Sequence, residues 1–243
     1  MLLLLAAVLA GAILQRISGI GFAMVVAPFT IIAIGPAQGV VLVQICGIAS
    51  ALLVLAQVRR DVDWPACLAL LPTSFIGVSA GALATAHLPA ATAQVASAVV
   101  MLLALAGSAA IGRLGRVPRT FPLMAATGGI AGTMTVLAGV GGVALTALQQ
   151  ATRWEHRPFV ATLQPYLVAL STGTVVARLA TTADAWPALT PAGWAGIIAM
   201  MAIGIAAGNR ATAWLNASVA SRITVTLSLL GALSALLGGL LKL

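Results

Sequence analysis

Long apolar runs constrain this chain more than any other feature. Of its 243 residues, 61% are apolar and only 7% are charged. The apolar runs are residues 1–34, 38–57, 65–86, 91–112, 121–148, 158–180, 190–209 and 215–241. A soluble domain carries about 25% charged residues, so this chain lacks the polar side chains that would coat a globule in water. Its solvent is therefore a lipid bilayer.

The length of the runs predicts helices rather than strands. A helix crosses the hydrocarbon core with about 20 residues, whereas a membrane strand needs about ten residues of alternating polarity. We predict an all-α polytopic membrane protein with about eight transmembrane helices. The runs leave no room for a soluble domain, and we expect a multi-pass protein of the cell (inner) membrane.

Runs one and five are longer than a single crossing requires, and each contains a glycine break. The first break is residues 15–22 (QRISGIGF), and the second is residues 139–142 (GVGG). Either each run is one broken helix, or each folds into two short helices that meet in the membrane. The sequence leaves both alternatives open.

Several features recur in the same order in the two halves of the chain. Gly19 and Gly21 match Gly139 and Gly141, and at the same offset Gln44 matches Gln164. A Trp-Pro pair follows in each half, at residues 64–65 and 186–187, and then a glycine pair, at residues 77 and 81 and at 204 and 208. This order predicts two duplicated four-helix repeats, residues 1–117 and 118–243, in which helices 1 and 5 are glycine-broken. Internal repeats are typical of secondary transporters, which bind substrate where discontinuous helices meet.

Arg16 is the most informative side chain in the first break. A charge at the bilayer centre costs roughly 2.5–3.5 kcal/mol on the lenient insertion scale. A guanidinium there is suited to bidentate binding of an oxyanion. The alternative is that Arg16 ends a helix and extends to the membrane surface.

Buried amides and glycine backbones complete the predicted site. Gln44 and Gln164 lie in the middle of apolar runs, where an amide needs either a ligand or a partner on another helix. Glycine breaks free backbone N–H groups and expose the positive ends of helices. The predicted substrate-binding residues are Arg16, Ser18, Gly19, Gly21, Gln44, Gly139, Gly141, Gly142 and Gln164.

Other polar and small residues receive structural interpretations. We expect Arg178 and Arg222, which lie near the ends of runs, to extend to the membrane surface. The glycine pairs at residues 77 and 81, 128 and 132, and 204 and 208 have the four-residue spacing that favours helix packing. Cys46 and Cys67 are expected to be buried as small apolar residues.

All four acidic residues lie between the runs, where they can neither relay protons nor hold sodium inside the membrane. They are Asp61, Asp63, Glu155 and Asp184. No catalytic or metal-ligand set lies within the runs, so we predict no enzyme activity, no cofactor and no metal site. We expect anion movement to need no cation gradient. The net charge of +8 is spread between the runs, without a basic cluster that would indicate nucleic-acid binding.

The arginines do not fix the orientation of the chain. Cytoplasmic loops of membrane proteins are rich in Lys and Arg, and the richest separators here are residues 59–63 and 113–119. Arg153 and Arg157 lie on the same side as those segments if run five re-enters, and on the other side if it crosses once.

The motifs resemble the sulfite exporter TauE/SafE family. Residues 18–22 (SGIGF) with Pro28 resemble its first repeat, residues 138–142 (AGVGG) resemble its second, and residues 62–64 (VDW) precede the helix between them. The resemblance covers essentially the whole chain. It implies about eight membrane helices and transport of small sulfur-containing anions.

These observations together predict a function. We expect alternating-access transport of sulfite or an organosulfonate, with the anion bound between the two repeats. The expected partners are this anion and the lipid bilayer, and a homo-oligomer is compatible with the sequence. The alternatives are a transporter of small carboxylates and a membrane scaffold subunit that transports nothing.

Overall fold

The computed structural model describes residues 1–18, 22–111, 117–211 and 217–242, and helices dominate these ranges. They form α1 (Leu2–Ser18), α2 (Phe22–Ile34), α3 (Pro36–Val58), α4 (Trp64–Thr85), α5 (Ala90–Ile111), α6 (Phe121–Ala138), α7 (Gly142–Thr152), α8 (His156–Thr181), α9 (Pro191–Ala211) and α10 (Ala217–Leu240). Within the described ranges no strand occurs. The predicted all-α class is confirmed.

Seven helical segments in the described part of the chain are long and apolar enough to cross a membrane. They correspond to runs two to eight of the sequence. Run one instead forms the two shorter apolar helices α1 and α2. The number of long spans is therefore one below the expected eight.

Prolines and one side-chain cap fix where several helices begin. Proline occupies the first turn of α3, α4 and α6, where its missing N–H has no helical partner to lose. Asp63 caps α4 by accepting a hydrogen bond from the backbone N–H of Ala66 at 3.1 Å. Such caps satisfy backbone donors that a helix start leaves unpaired.

Runs one and five each fold into a helical hairpin. In the first, a Cβ on Gly11 of α1 would lie 2.6 Å from a methyl group of Val26 in α2, so the two helices lie in close contact. In the second, the N–H of Val117 before α6 donates to the carbonyl of Ala151 near the end of α7 at 2.9 Å. Each run therefore contains two helices that pack on each other, and in run five α6, with 18 residues, is itself one of the seven long segments.

One face of the protein collects several helix ends. α3 ends there, and α4 and α8 begin there. Two salt bridges join these ends, from Arg119 to Asp63 at 2.9 Å and from Arg157 to Asp61 at 3.0 Å. This side, with residues 58–64, 117–121 and 152–157, is the basic face.

The other side is the opposite face, where α3 begins and α8 ends. There Gln38 donates to the carbonyl of Asp184 at 3.1 Å. The α1–α2 hairpin has both ends on this face, because Met1 lies beside Gly193 near the start of α9 and one residue separates Ile34 from α3. The α6–α7 hairpin has both ends on the basic face. The two hairpins therefore enter the protein from opposite sides.

The two halves of the chain use corresponding helix contacts. α1 packs on α9 as α6 packs on α4, and α2 packs on α10 as α7 packs on α5. α3 and α8 contact each other. This pattern is the one expected of inverted repeats, whereas the duplication itself and its boundary after residue 117 stay predictions.

Glycines allow the close contacts on which these pairs depend. A Cβ on Gly77 would overlap the carbonyl oxygen of Gly129, and a Cβ on Gly204 would lie 2.6 Å from Ala12. The packing interpretation of the four-residue glycine pairs is confirmed for both pairs of helices.

Replacing Gly132 by alanine is expected to destabilise the α4–α6 contact. A Cβ there would overlap the backbone carbonyl of Ser74, and overpacking costs about 1–3 kcal/mol. At Gly129 the nearest atom to a Cβ is the Thr73 carbonyl oxygen at 3.7 Å, which is ordinary contact. Thermal unfolding in detergent should show a lower Tm for Gly132→Ala and little change for Gly129→Ala. Equal changes in the two variants would contradict this packing.

The path of the second hairpin determines on which face of the protein several arginines lie. Because it re-enters, Arg153 and Arg157 lie on the basic face with Arg59, Arg60 and Arg119. Arg210 lies in the last turn of α9, and Arg222 lies in the second turn of α10, towards the same side. On the opposite face, the exposed Lys or Arg side chain among the described residues is Lys242. The positive-inside rule therefore predicts that the basic face is cytoplasmic and that both described ends of the chain lie outside.

Single-cysteine labelling tests this orientation. In a variant that lacks Cys46 and Cys67, the exposed positions Arg60, Arg153 and His87 are changed to cysteine one at a time. A membrane-impermeant thiol reagent added to intact cells should label His87→Cys and leave Arg60→Cys and Arg153→Cys unlabelled. Labelling of Arg153→Cys together with His87→Cys would mean that run five crosses the membrane once.

Candidate functional site

A polar cavity of about 250 Å³ lies between α1, α3, α8 and α9. It reaches the basic face at the first residue of α8 and near the end of α3. This cavity is the vestibule. Its polar lining residues include Gln15, Arg16, Ser50, Gln57, His156 and Gln164.

Arg16 contributes the positive charge of the vestibule. Its Nε–H donates to the Oδ1 atom of Asn209 on α9. Gly208 lets α9 approach this side chain, because a Cβ there would lie 2.7 Å from the Cβ of Arg16. Among the described residues, no acidic side chain lines the vestibule. Gly208 lies about one turn before the end of α9, so the side chain of Arg16 beside it is near the basic face. Arg16 therefore both lines a cavity and extends towards the basic face.

A smaller cavity of about 70 Å³ surrounds the tip of the second hairpin. This inner cavity is lined by Gly139, Val140, Gly141 and Gly142, together with side chains of α1, α2, α3 and α8. Gln15 lines both cavities, so they adjoin. The two cavities together form a path from the basic face towards the middle of the protein, with polar side chains set in largely apolar walls.

The sequence of the tip explains its shape. Gly139 ends α6 in the left-handed region at φ 77°, and its N–H donates to the Thr135 carbonyl at 2.8 Å. At Gly141 a Cβ would overlap the Thr135 hydroxyl and the Ala131 carbonyl, so only glycine fits. α7 begins directly after this turn, which places the positive end of its dipole at the inner cavity.

Gln44 holds the tip from α3. Its side chain is 4% exposed, and its Nε2 donates to the carbonyl of Gly139 at 3.4 Å. The hydroxyl of Ser171 on α8 donates to the Oε1 atom of Gln44 at 2.6 Å. These bonds connect α3, α8 and the hairpin tip around the inner cavity.

Gln164 occupies a different place from its sequence partner. It lines the vestibule, and its Nε2 donates to the carbonyl of Val160 in its own helix at 2.8 Å. The matched glutamines Gln44 and Gln164 therefore line two different, adjoining cavities. Their predicted roles in substrate binding stay predictions.

The structure places six of the nine predicted site residues in these two cavities. Arg16 and Gln164 line the vestibule, and Gln44, Gly139, Gly141 and Gly142 line the inner cavity. Gly19, Gly21 and the side chain of Ser18 lie outside the described residues.

Sequence reasoning missed Ser171. The available signal was its spacing, because it follows Gln164 by seven residues. Nearly two helical turns separate the two, so they share one face of α8.

The structure corrects the interpretation of Arg178. This residue was expected to extend to the membrane surface, but it is only 3% exposed. Its Nε and Nη2 donate to the carbonyl of Val136 at 3.1 and 2.6 Å, and its Nη1 donates to the Thr85 hydroxyl at 3.0 Å. α8 carries it inward to the end of α6, where the break leaves carbonyl groups without helical donors.

Replacing Ser171 by alanine is expected to destabilise the protein. It removes the partner of a buried amide oxygen, which costs about 1–3 kcal/mol. The neighbouring Thr172 is exposed and bonds only its own helix, at the Val168 carbonyl, so Thr172→Ala is the matched control. Thermal unfolding in detergent should show a clear loss for Ser171→Ala and a small one for Thr172→Ala. If Ser171→Ala unfolds like the native protein, Gln44 does not depend on this bond.

Comparison with known proteins gives one match. The sequence model of the sulfite exporter TauE/SafE family matches residues 3–235, a range that contains both hairpins and both cavities. No curated protein and no solved structure matches the chain.

Proposed function

The chain belongs to the sulfite exporter TauE/SafE family, and on this premise we propose that it exports small oxyanions, sulfite or an organosulfonate, from the cell. The family is one of membrane transporters, and the helices of the chain suit a multi-pass membrane protein. The substrate and the mechanism are the parts proposed here.

The observation that carries the proposal is the path formed by the vestibule and the inner cavity, which polar side chains line at several points. It begins beside Arg16 and reaches the tip glycines within a largely apolar helical protein. Among the described residues, no carboxylate lines either cavity to repel an anion. A scaffold subunit has no need for buried polar cavities at a broken helix.

Arg16 is the residue proposed to bind the anion first. A guanidinium offers N–H donors in a planar fork that matches two oxygens of an oxyanion. From the vestibule the anion passes Gln15 to the inner cavity. There the dipole of α7 and the amide of Gln44 replace part of its hydration shell.

The state described here suits alternating access. The vestibule reaches the basic face, whereas beyond the tip the path towards the opposite face is blocked by packed residues. A Cβ on Gly139 would lie 3.4 Å from that of Ala27, and Arg178 binds the ends of α4 and α6. If the basic face is cytoplasmic, this state takes up the anion from inside the cell.

The membrane potential suffices to drive export in this mechanism. An anion that leaves a cell with a negative interior gains about 2.3 kcal/mol per charge per 100 mV. The two cavities contain no acidic side chain, among the described residues, to couple this movement to protons or sodium. We therefore propose potential-driven transport without a coupling cation.

Arg16→Ala tests the proposed function. Sulfite and methanesulfonate should stabilise the purified native protein against heat, and loss of a charge-assisted hydrogen bond should weaken binding about 10- to 100-fold. Flux of the same anions into proteoliposomes should follow the membrane potential and fall in the variant. Arg16→Lys, which keeps the charge but loses the fork, should be intermediate.

Arg222→Ala is the matched control, because Arg222 is exposed near the basic face and lines neither cavity. It should leave binding and flux unchanged. A native protein that no anion stabilises would favour the scaffold alternative. Flux that requires a proton or sodium gradient at zero potential would refute the uncoupled mechanism.

A further inference from the structure

Arg178 continues a row of polar residues that the proposed path already uses. Along α8, polar residues recur every seven positions at Arg157, Gln164, Ser171 and Arg178. Seven residues make nearly two turns, so these side chains lie on one face of the helix. Arg157 lies on the basic face, Gln164 lines the vestibule and Ser171 lines the inner cavity. Arg178 lies about 10 Å further along α8, towards the opposite face.

The partners of Arg178 are all neutral. Its guanidinium donates to the Val136 carbonyl and the Thr85 hydroxyl, and it forms no salt bridge with any described acid. A positive charge buried in this way is costly, and an anionic acceptor binds it more strongly than a neutral one does. The site is therefore better satisfied by an oxyanion than by its present partners.

A second observation points to a ligand at the same place. Thr182 directly follows the last residue of α8, and its N–H donates to the backbone carbonyl of Arg178 at 3.0 Å. Its hydroxyl is buried and has no hydrogen-bond partner among the described residues. Buried hydroxyl groups in folded proteins are nearly always paired. Thr182 thus provides an unused donor at the end of α8 on the side of the opposite face, next to the backbone of Arg178.

We propose that Arg178, with Thr85 and Thr182, forms an outer anion site and closes the path in the state described here. This inference rests on the proposed function. In the closed state the guanidinium holds the ends of α4 and α6 together through Thr85 and Val136. When the anion moves out of the inner cavity, it replaces the Val136 carbonyl as the acceptor, and the contact between the helix ends opens.

The inferred site gives the path one positive charge at each end. Arg16 receives the anion beside the basic face, and Arg178 receives it beyond the hairpin tip. Successive sites that each bind weakly let an ion enter and still leave. The single charges suit this requirement better than a cluster of arginines would.

Access from each face tests whether Arg178 closes the path. The test places Ser171→Cys in a variant that lacks Cys46 and Cys67, and uses a small, impermeant, anionic thiol reagent. From the basic face, the reaction rate should be the same with and without Arg178. From the opposite face, reaction should be slow in the parent and at least about 10-fold faster when Arg178→Gln is added. Arg222→Gln is the control and should change neither rate.

Separate measurements of anion binding and anion flux test whether Arg178 contacts the anion after it leaves the inner cavity. Arg178→Gln should leave stabilisation by sulfite within about twofold of the native value and lower flux about 10-fold. Arg178→Lys should restore part of the flux, because it keeps the charge. If Arg178→Gln keeps native flux and stays closed from the opposite face, the outer site is refuted. Equal loss of binding and flux without any change in access would make Arg178 only a cap for α6.

Two milder variants keep the test decisive if Arg178→Gln does not fold. Thr182→Val removes a hydroxyl without a described partner, so it should leave thermal stability unchanged and still lower flux several-fold. Thr85→Val removes one bond of Arg178 and should raise reaction from the opposite face several-fold. Native behaviour of both variants would overturn the inference. Failure of the native protein to bind any anion would instead refute the proposed function, and the access measurement would still report on closure by Arg178.

Discussion

Inside a bilayer every backbone polar group needs a hydrogen-bond partner, and the rest of the structure depends on this requirement. A helix meets that need by itself, but the break after α6 does not. The carbonyls at the end of α6 are therefore satisfied from three sources: Gly139 donates to Thr135, Arg178 donates to Val136, and Gln44 donates to Gly139. These bonds bring α3, α6 and α8 together at one point. The polar groups that bond these carbonyls lie at or near the inner cavity.

Close helix packing brings the donors of these hydrogen bonds within reach of the carbonyls at the end of α6. In lipid no hydrophobic force drives helices together, so small residues and van der Waals contact hold them. Gly77, Gly128 and Gly132 bring the backbones of α4 and α6 into contact, and Gly204 and Gly208 do the same for α1 and α9. These two contacts fix the first helix of each hairpin. The tip of the second hairpin can then lie between α3 and α8, where Gly139 contacts Gln44.

The electrostatics follow from the placement of few charges. The described acidic residues lie near the two faces, and two of them pair with arginines at the basic face. The path is left with Arg16 near that face and Arg178 beyond the hairpin tip. Both face neutral partners rather than carboxylates. In the proposed mechanism such a path attracts anions while holding them weakly, which suits a transporter more than a scaffold protein.

Sequence by itself determined the membrane class, the positions of the long helices, the two breaks and six residues that line the cavities. It did so because apolar length and glycine content act locally. Tertiary structure decided three matters: that run five re-enters and so places Arg153 on the basic face, that Gln44 and Gln164 serve different cavities, and that Arg178 is buried. The physical reason is that lipid is as apolar as a protein core. Residues that face lipid and residues that face other helices therefore look alike in the sequence, and only the packed helices show what lies opposite each polar group.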